Sequence, residues 1–436
     1  MALSLGQKAG WGLADLGIVV FVMVKGLLVF EFMASYLGVP AAAAGLITTS
    51  ILVFDIITDP LIGYFSDRTQ TKWGRRAPWI AIGVIVMTIG MVGMFAAPAA
   101  EGANWTPAVV WLGGFFVLAT IGFTMAAIPY AATAGEMSDD PNERSVMLAW
   151  RMGFASLGIL IGGGVVPMLA GGTHAGHLTA MFMISPLVIG SVWLSLFATR
   201  NAPRNDTPTT VHPKQMLKLV LGNKPFVVLV LFYGIMTLAI AQITTGMPLA
   251  AKYLIEGGNL VLLFAPFVVG AMISQVLWAW LSIRAGKVRA MTIGVCLYIL
   301  MLMALYVVLP TQTLALAMGL MLLVGAANGA YQAIPWAIYP DLMDVTRAES
   351  GEAIEGGFSA VWLFGQKVAN ALAPGIFGMI IGAYGWKETT QGVVEQTPEA
   401  LSALHWALTL MPAGIFVVAL IVFVGIYRPM AARVLG

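Results

Sequence analysis

Long apolar runs occupy most of this chain of 436 residues and leave few architectures open to it. A membrane-spanning helix needs about 20 predominantly apolar residues, whereas a transmembrane β-strand needs about 10 with alternating polarity. Because the runs are long and do not alternate, they predict a bundle of helices. We count twelve candidate spans, at roughly 11–37, 41–66, 78–98, 107–134, 146–170, 179–199, 226–254, 259–282, 288–309, 312–340, 357–384 and 402–427. The prediction is therefore an all-α membrane protein with 12 transmembrane helices.

Charged residues make up only 10% of the chain, against about 25% in soluble domains. So little polar surface excludes a soluble enzyme, a disordered chain and a nucleic-acid-binding protein. The single cysteine, Cys296, excludes a disulfide scaffold and a cysteine-based metal site. The sequence has no Ser/His/Asp set, HExxH motif or phosphate loop, so we expect neither an enzyme nor a cofactor.

The basic residues predict the orientation, because lysine and arginine concentrate in cytoplasmic loops. If the N-terminus is inside, all 22 lysines and arginines fall at cytoplasmic ends except Lys25, Arg151, Lys252, Lys367 and Lys387. Lys252 and Lys387 fall on the opposite side, and the other three lie inside spans. We therefore expect both termini to be cytoplasmic. The first run is too long to be a signal peptide.

The chain divides into two halves with a weak internal repeat. A proline-containing polar stretch at 200–225 predicts a cytoplasmic linker between bundles at 1–199 and 226–436. The segment IPYAATAGEM at the end of span four resembles IPWAIYPDLM at the end of span ten. Two similar six-helix halves are typical of the major facilitator fold.

Two carboxylates lie inside span two. Asp55 and Asp59 are four residues apart and share a helix face, and Thr58 adds a hydroxyl nearby. Adjacent carboxylates repel each other, so one of them tends to hold a proton unless a cation lies between them. Oxygen ligands also suit a small hard cation. The pattern favours a cation or proton site; the alternative is a structural pair neutralised by a basic residue of another helix.

Three basic residues within spans raise the question of their partners, because a charge near the bilayer centre costs at least about 2.5–3.5 kcal/mol. We expect Lys367 of span eleven to face Asp55 and Asp59, where it could compete with a cation for them; the alternative is a lysine whose side chain extends to the membrane surface. Lys25 and Arg151 suggest an anionic group on a substrate. Alternatively, Lys25 pairs with a carboxylate of a neighbouring helix, and Arg151 holds helix ends together.

Other polar residues are candidates for gates and for a cavity. Acidic and basic residues at the predicted cytoplasmic mouth could form latches: Asp67, Arg68, Arg75, Arg76, Glu136, Arg144, Asp341, Asp344, Arg347 and Glu355. Ordinary topology-setting charge is an equal alternative. Residues of spans ten and eleven could contact substrate: Gln332, Trp336, Trp362, Gln366 and Asn370. The alternatives are contacts between helices and an aromatic belt.

Taken together, these residues resemble the glycoside–pentoside–hexuronide:cation symporter family over essentially the whole chain. The most specific segment is DIITDPLIGYFSDRTQTKWGRRAPWI, from Asp55 to Ile80. WGLADLG, with Asp15, resembles the family's opening motif. DLMD at Asp341 and Lys367 fall at the family's spacing.

The resemblance implies roles for particular residues. Asp55, Asp59 and Thr124 match cation-site positions, and Thr58 stands where the melibiose permease of that family has asparagine. Lys367 matches a lysine beside that site, and Arg151 matches an arginine near the sugar. Such proteins move a sugar or glycoside inward with Na⁺, Li⁺ or H⁺.

The chain departs from the melibiose permease at positions that contact the sugar in that permease. Val19 and Ala127 stand where that permease has carboxylates that hold galactosyl hydroxyls, and Ala131 and Gln332 replace tryptophans. Lys25 stands where that permease has an apolar residue. A neutral galactoside is therefore disfavoured, and a substrate with an acidic group is favoured.

We predict a secondary transporter of the bacterial inner membrane that acts by alternating access. It would carry a sugar-like or other small organic solute with a monovalent cation, and Na⁺ is favoured over H⁺. One alternative is a sodium-dependent carrier of lysolipids or other amphiphiles with the same fold. Another, from a different class, is a nontransporting membrane sensor or assembly factor. We expect a monomer among membrane lipids, with no nucleic-acid partner.

Overall fold

The computed structural model describes residues 3–138, 140–202, 213–311, 313–350 and 355–434. These residues are almost entirely helical, and their extended pairing is limited to two isolated β-bridges. They form two compact units. The N-terminal unit comprises Met1–Thr207 with Trp386–Gln396, and the C-terminal unit comprises Pro208–Gly385 with Thr397–Gly436.

The N-terminal unit contains nine of the described α-helices. In chain order they are α1 (Leu5–Gly12), α2 (Ala14–Leu27), α3 (Val29–Tyr36), α4 (Ala41–Arg68), α5 (Ala77–Phe95), α6 (Thr106–Met137), α7 (Pro141–Leu160), α8 (Val166–Ala170) and α9 (His174–Ala198). A π-helical segment, Ile161–Val165, joins α7 to α8. The first predicted span, 11–37, is thus interrupted, with boundaries between its helices at Leu13 and Leu28.

The C-terminal unit contains the other nine α-helices described. They are α10 (Pro213–Gly222), α11 (Lys224–Tyr253), α12 (Leu260–Ala285), α13 (Lys287–Val308), α14 (Leu314–Ser350), α15 (Glu355–Ala383), α16 (Pro398–Leu408), α17 (Leu410–Ile421) and α18 (Arg428–Val434). The predicted linker at 200–225 therefore contains a helix, α10, and ends inside another, α11. The reason is local: after Pro213, which suits the first turn of a helix, the residues PKQMLKLVLG place apolar side chains on one face.

Eleven stretches of the described residues are long and apolar enough to cross a membrane. Helix α15, with 29 residues, contains Lys367 and is not among them. These helices place the chain among multi-pass membrane proteins. The number of twelve spans and the cytoplasmic position of both ends remain predictions.

Glycines let helices α5 and α6 approach closely. A Cβ atom at Gly122 would lie 2.2 Å from the backbone nitrogen of Met87, and one at Gly90 would lie 2.3 Å from that of Ala119. Such distances leave room only for hydrogen, as at other small-residue contacts between membrane helices. This close packing fixes the position of α6 relative to α5, and α6 also contacts α4. The position of Thr124 relative to the acidic residues of α4 depends on this arrangement.

The segment Trp386–Gln396 belongs to the N-terminal unit although it follows α15 in sequence. The backbone N–H of Thr389 donates to the carbonyl oxygen of Ala34 at 3.0 Å, and that of Gly392 donates to the carbonyl oxygen of Ser35 at 2.8 Å. The positive φ of Gly392, 87°, suits glycine. Backbone hydrogen bonds form with almost any residue type, so the sequence does not reveal this pairing. The apolar pattern alone assigned these residues to the second bundle.

Candidate cation and substrate site

Helix α4 presents two carboxylates to a hydroxyl of α6. The hydroxyl of Thr124 lies 2.8 Å from an oxygen of Asp55 and 3.3 Å from an oxygen of Asp59, so it can donate to either carboxylate. Asp55 is only 3% exposed, and Thr124 is fully buried. Asp59 is followed by Pro60, which cannot donate the helical hydrogen bond to residue 56. Three oxygen-bearing side chains thus meet at one point of the N-terminal unit.

Thr58 is oriented differently from the prediction. Its hydroxyl donates to the backbone carbonyl oxygen of Asp55 at 3.0 Å, a bond within its own helix. This is a common arrangement for threonine in a helix, because the hydroxyl reaches the carbonyl of the preceding turn. The hydroxyl that contacts the carboxylates comes from Thr124, on another helix.

Lys25 of α2 lies beside Asp55. Its ammonium nitrogen is 4.0 Å from an oxygen of Asp55, and the side chain is 13% exposed. The ammonium also lies over the ring of Phe123, 4.3 Å from its centroid, and 5.5 Å from that of Phe21. At 4 Å two unit charges attract by about 4 kcal/mol if the effective dielectric constant is about 20. The structure thus shows Lys25 beside a carboxylate of a neighbouring helix, the alternative that the sequence left open.

Arg151 lies in the interior of α7 and pairs with Asp15 of α2. Asp15 is buried, and the guanidinium also faces the rings of Trp11 and Tyr130 at 5.9 and 5.5 Å. The indole of Trp11 donates to the hydroxyl of Thr133 at 2.8 Å. The charge of Arg151 is therefore compensated within the protein. This geometry supports the alternative in which Arg151 holds helices together rather than contacting substrate.

Four charged residues form a cluster at the loop between α4 and α5, which we call the latch cluster: Asp67, Arg75, Arg76 and Glu136. Both arginines contact one carboxylate oxygen of Glu136, and Arg76 also lies 3.0 Å from Asp67. A cavity of about 340 Å³ adjoins the cluster and extends towards Trp11. Asp67, one of the candidate latch residues, thus contacts an arginine.

Two other predicted latch residues, Arg144 and Asp341, contact groups outside the latch cluster. Nε of Arg144 donates to the backbone oxygen of Ser138 at 2.6 Å, whereas Glu136 contacts the arginines of the loop. Asp341 pairs with Lys287 of α13 at 2.6 Å.

Four further residues were predicted as latch residues: Arg68, Asp344, Arg347 and Glu355. The guanidinium of Arg68 stacks on the ring of Tyr64 at 3.5 Å, within its own helix. Asp344 and Arg347 are exposed near the end of α14. The side chain of Glu355 lies outside the described residues.

An aromatic stack occupies the C-terminal unit between α11, α14 and α15. The ring of Tyr233 stacks on Tyr331 at 4.9 Å and on Trp362 at 4.3 Å. The hydroxyl of Thr237 lies 2.8 Å from that of Tyr331, and the indole of Trp336 lies 3.3 Å from that of Tyr233. Trp362 is only 1% exposed whereas Trp336 is 42% exposed. Of the two predicted tryptophans, Trp336 has the more accessible surface for a ligand.

The remaining predicted substrate residues lie on the same helices. Gln332 and Asn370 are exposed, and the amide of Asn370 donates to the backbone oxygen of Gln366 at 3.1 Å. Gln366 and Lys367 are half-buried on α15. Lys367 belongs to the C-terminal unit and the paired aspartates to the N-terminal unit, so their expected meeting remains a prediction.

Sequence reasoning missed the tyrosines and the hydroxyls that organise both units. Tyr130 faces Arg151, and Tyr233 and Tyr331 form the centre of the aromatic stack. Helical spacing could have predicted that Thr237 lies near Tyr233, because it follows Tyr233 by one helical turn. No comparable signal joins Tyr331 to Tyr233, because 98 positions of chain separate them and only the packing of α11 with α14 brings them together.

Comparison with known proteins identifies the family. Residues 9–427 match the model of a family described as MFS/sugar transport protein. The chain belongs to this family. It is 22% identical over 434–436 residues to two proteins of Escherichia coli (strain K12), an inner membrane symporter and a glucuronide carrier protein homolog. Each match covers 96% of this chain, with 91% and 92% of the respective relative.

A third relative is named for a lipid substrate. The chain is 23% identical to sodium-dependent lysophosphatidylcholine symporter 1 of Xenopus tropicalis, over 90% of this chain and 81% of that protein. Among solved structures, a bacterial homolog of the human lysosomal transporter Spinster, inward-facing and unoccupied, matches with a TM-score of 0.70. That match covers 99% of this chain and 96% of the other at 16% identity, and it shows the major-facilitator-type fold. The chain is thus similar to symporters of both sugar and lipid type.

Proposed function

We propose that this protein is a Na⁺-coupled symporter that carries a sugar-like or other small organic solute with an acidic group by alternating access. The observation that carries the proposal is the meeting of Asp55, Asp59 and Thr124. A hydroxyl within hydrogen-bond distance of two carboxylates supplies oxygens from two helices at one point. Hard monovalent cations favour such oxygen ligands, and they would relieve the repulsion between the carboxylates.

Two features favour a solute with an acidic group: the positive charge of Lys25, and the absence of the carboxylates that hold the sugar in the melibiose permease. Arg151 is neutralised by Asp15, so Lys25 is the basic residue of the N-terminal unit best placed to attract an anion near the cation site. Val19 and Ala127 offer no hydrogen bonds to a neutral sugar. The relative named as a glucuronide carrier homolog agrees with a uronide as one candidate.

Alternating access requires contacts that form and break at the two membrane faces. We assign that role at the cytoplasmic face to the latch cluster, in which Glu136 holds two arginines. Both termini would then lie in the cytoplasm, and the protein would reside in a bacterial inner membrane. A monovalent cation is the only co-substrate that this mechanism needs.

Uptake into proteoliposomes tests the proposal. The probe is p-nitrophenyl glucuronide, supplied with an inward Na⁺ gradient, with an inward K⁺ gradient, and with a proton gradient alone. We expect uptake with Na⁺, and its loss in Asp55→Asn and Asp59→Asn, because an amide cannot supply the negative charge. Glu399→Gln, which changes an exposed carboxylate at the start of α16, is the matched control and should transport normally.

The controls also separate the alternatives. Uptake driven by the proton gradient alone would replace Na⁺ with H⁺ as the coupling ion. If none of the three gradients drives uptake and no solute in a screen of acidic sugars, organic acids and lysolipids shifts the melting temperature, the protein is a sensor or assembly factor.

A second candidate substrate is a lysolipid or similar amphiphile. The relative from Xenopus tropicalis is named as a sodium-dependent lysophosphatidylcholine symporter. Ala131, which is exposed on α6, and the neighbouring Ala127 leave an apolar surface where the melibiose permease has a tryptophan and a carboxylate. A lysophosphatidylcholine arm in the thermal-shift screen distinguishes this candidate, because a larger Na⁺-dependent shift than with glucuronides would favour it.

A further inference from the structure

We propose, building on the cation site of the proposed function, that Lys25 is the residue that couples the cation to an anionic solute. Its ammonium group and the coupling cation compete for the charge of Asp55. Cation binding at Asp55 then makes the ammonium of Lys25 available to the acidic group of the solute.

The competition follows from the positions of the three groups. Lys25 lies 4.0 Å from Asp55, which also lies within hydrogen-bond distance of the Thr124 hydroxyl at 2.8 Å. A cation held by Asp55 and Thr124 would thus lie close to the ammonium group. Like charges at such a distance repel, and the effect is strong because Asp55 is buried. Each cation therefore weakens the binding of the other.

The surroundings of Lys25 provide a second position for its ammonium group. The face of Phe123 lies 4.3 Å from the ammonium nitrogen, and the face of Phe21 lies 5.5 Å away. Aromatic faces stabilise a cation without neutralising it. An ammonium group that moves away from Asp55 is therefore still stabilised while it keeps its charge for a solute anion.

Coupling follows because binding effects are reciprocal. A solute anion that attracts Lys25 away from Asp55 restores the negative charge available to the cation, and so tightens cation binding. A cation at Asp55 in turn tightens anion binding. In a purely structural ion pair, removal of the lysine would destabilise the protein and would not make the cation bind more tightly.

The test measures Na⁺ alone, by isothermal titration of the purified full-length protein at constant ionic strength with choline chloride. Lys25→Met should bind Na⁺ about tenfold more tightly than the wild type, which corresponds to about 1.4 kcal/mol. Lys25→Arg, which keeps the charge, should bind within about threefold of the wild type. The matched control is Lys8→Met, which removes a lysine that lies 2.8 Å from Glu143, and it should leave Na⁺ affinity unchanged.

A second measurement uses the wild-type protein and needs no folded variant of Lys25. Reductive methylation followed by mass spectrometry reports how accessible each lysine amine is. Na⁺ should increase the methylation of Lys25 relative to choline, while that of Lys8 should not change. Asp55→Asn should show the higher methylation without Na⁺.

The outcomes distinguish this inference from the proposed function. If wild type and Lys25→Met bind Na⁺ equally, or Na⁺ leaves the methylation of Lys25 unchanged, the coupling role of Lys25 is wrong and the symporter proposal stands. If Lys25→Met binds Na⁺ more weakly, the lysine supports the site structurally and the inference is also wrong. If neither protein binds Na⁺, both the Na⁺-coupled function and the role of Lys25 fail.

Discussion

The two units organise polar groups within their helices in opposite ways. In the N-terminal unit, charged side chains lie beside one another, as Lys25 does beside Asp55, with the hydroxyl of Thr124 nearby. In the C-terminal unit, neutral aromatic rings are stacked, as Tyr233 is on Trp362. Charges respond strongly to an added ion in a low-dielectric surrounding, whereas stacked neutral rings do not. From this difference we expect ion dependence in the first unit and ligand stacking in the second.

The largest effect is expected for a substitution that disrupts the aromatic stack of the C-terminal unit. Trp362→Ala removes a buried ring between Tyr233 and Tyr339 and should lower the free energy of unfolding by about 3–5 kcal/mol. The loss should be the same in Na⁺ and in choline, as measured by thermal unfolding in detergent. Trp336→Ala, at a more exposed position, should cost less. A loss for Trp362→Ala that depends on Na⁺ would contradict the separation of roles.

The next effect tests the compensated charges of the N-terminal unit. Asp15→Asn leaves Arg151 without its carboxylate and should cost about 2–3 kcal/mol. This is less than the cost at a fully buried pair because the side chain of Arg151 is 30% exposed. The double variant Asp15→Asn/Arg151→Gln should recover part of the stability in the same unfolding assay. A double variant less stable than the single one would argue against a simple ion pair.

A smaller change should separate the cation site from stability. Thr124→Val removes the hydroxyl that contacts both carboxylates and should weaken Na⁺ binding about tenfold, the value of one hydrogen bond to a charged group. Thr124→Ser keeps the hydroxyl and should bind within a few-fold of wild type. Isothermal titration with Na⁺ measures both variants. Equal affinity in the valine and serine variants would remove Thr124 from the site.

The smallest effect concerns the corresponding hydroxyl of the C-terminal unit. Thr237→Val removes a contact of 2.8 Å with the hydroxyl of Tyr331 and should cost about 1 kcal/mol of stability. Na⁺ affinity should not change, because this hydroxyl lies among neutral groups. An effect on Na⁺ affinity as large as that of Thr124→Val would end the distinction between the two units.

Local pattern was sufficient for much of the fold and for part of the site. Apolar runs predicted helices, which the structure contains, and the span-two segment from Asp55 to Ile80 led to a family that comparison confirms. The shared face of Asp55 and Asp59 follows from helical spacing alone, because residues four apart are neighbours on one helix. Composition did not reveal the helix α10 inside the expected linker, since prolines and polar residues around it suggested a loop.

Pairings between helices could not be read from the chain. Arg151 and Asp15 are separated by 136 positions. Glu136 contacts Arg75 and Arg76, which lie 61 and 60 positions before it in the chain. Such contacts depend on which helices adjoin and on how closely they approach.

The sequence by itself determined which segments form helices, that the chain crosses a membrane many times, and that two carboxylates share one turn of a helix. These properties depend on residues within a few positions of one another. Only the tertiary structure decided that Thr124 meets both carboxylates, that Lys25 lies beside Asp55, and that Arg151 is neutralised. The physical reason is that a charge inside a bundle is stabilised by whichever group the packing of neighbouring helices brings within a few ångströms.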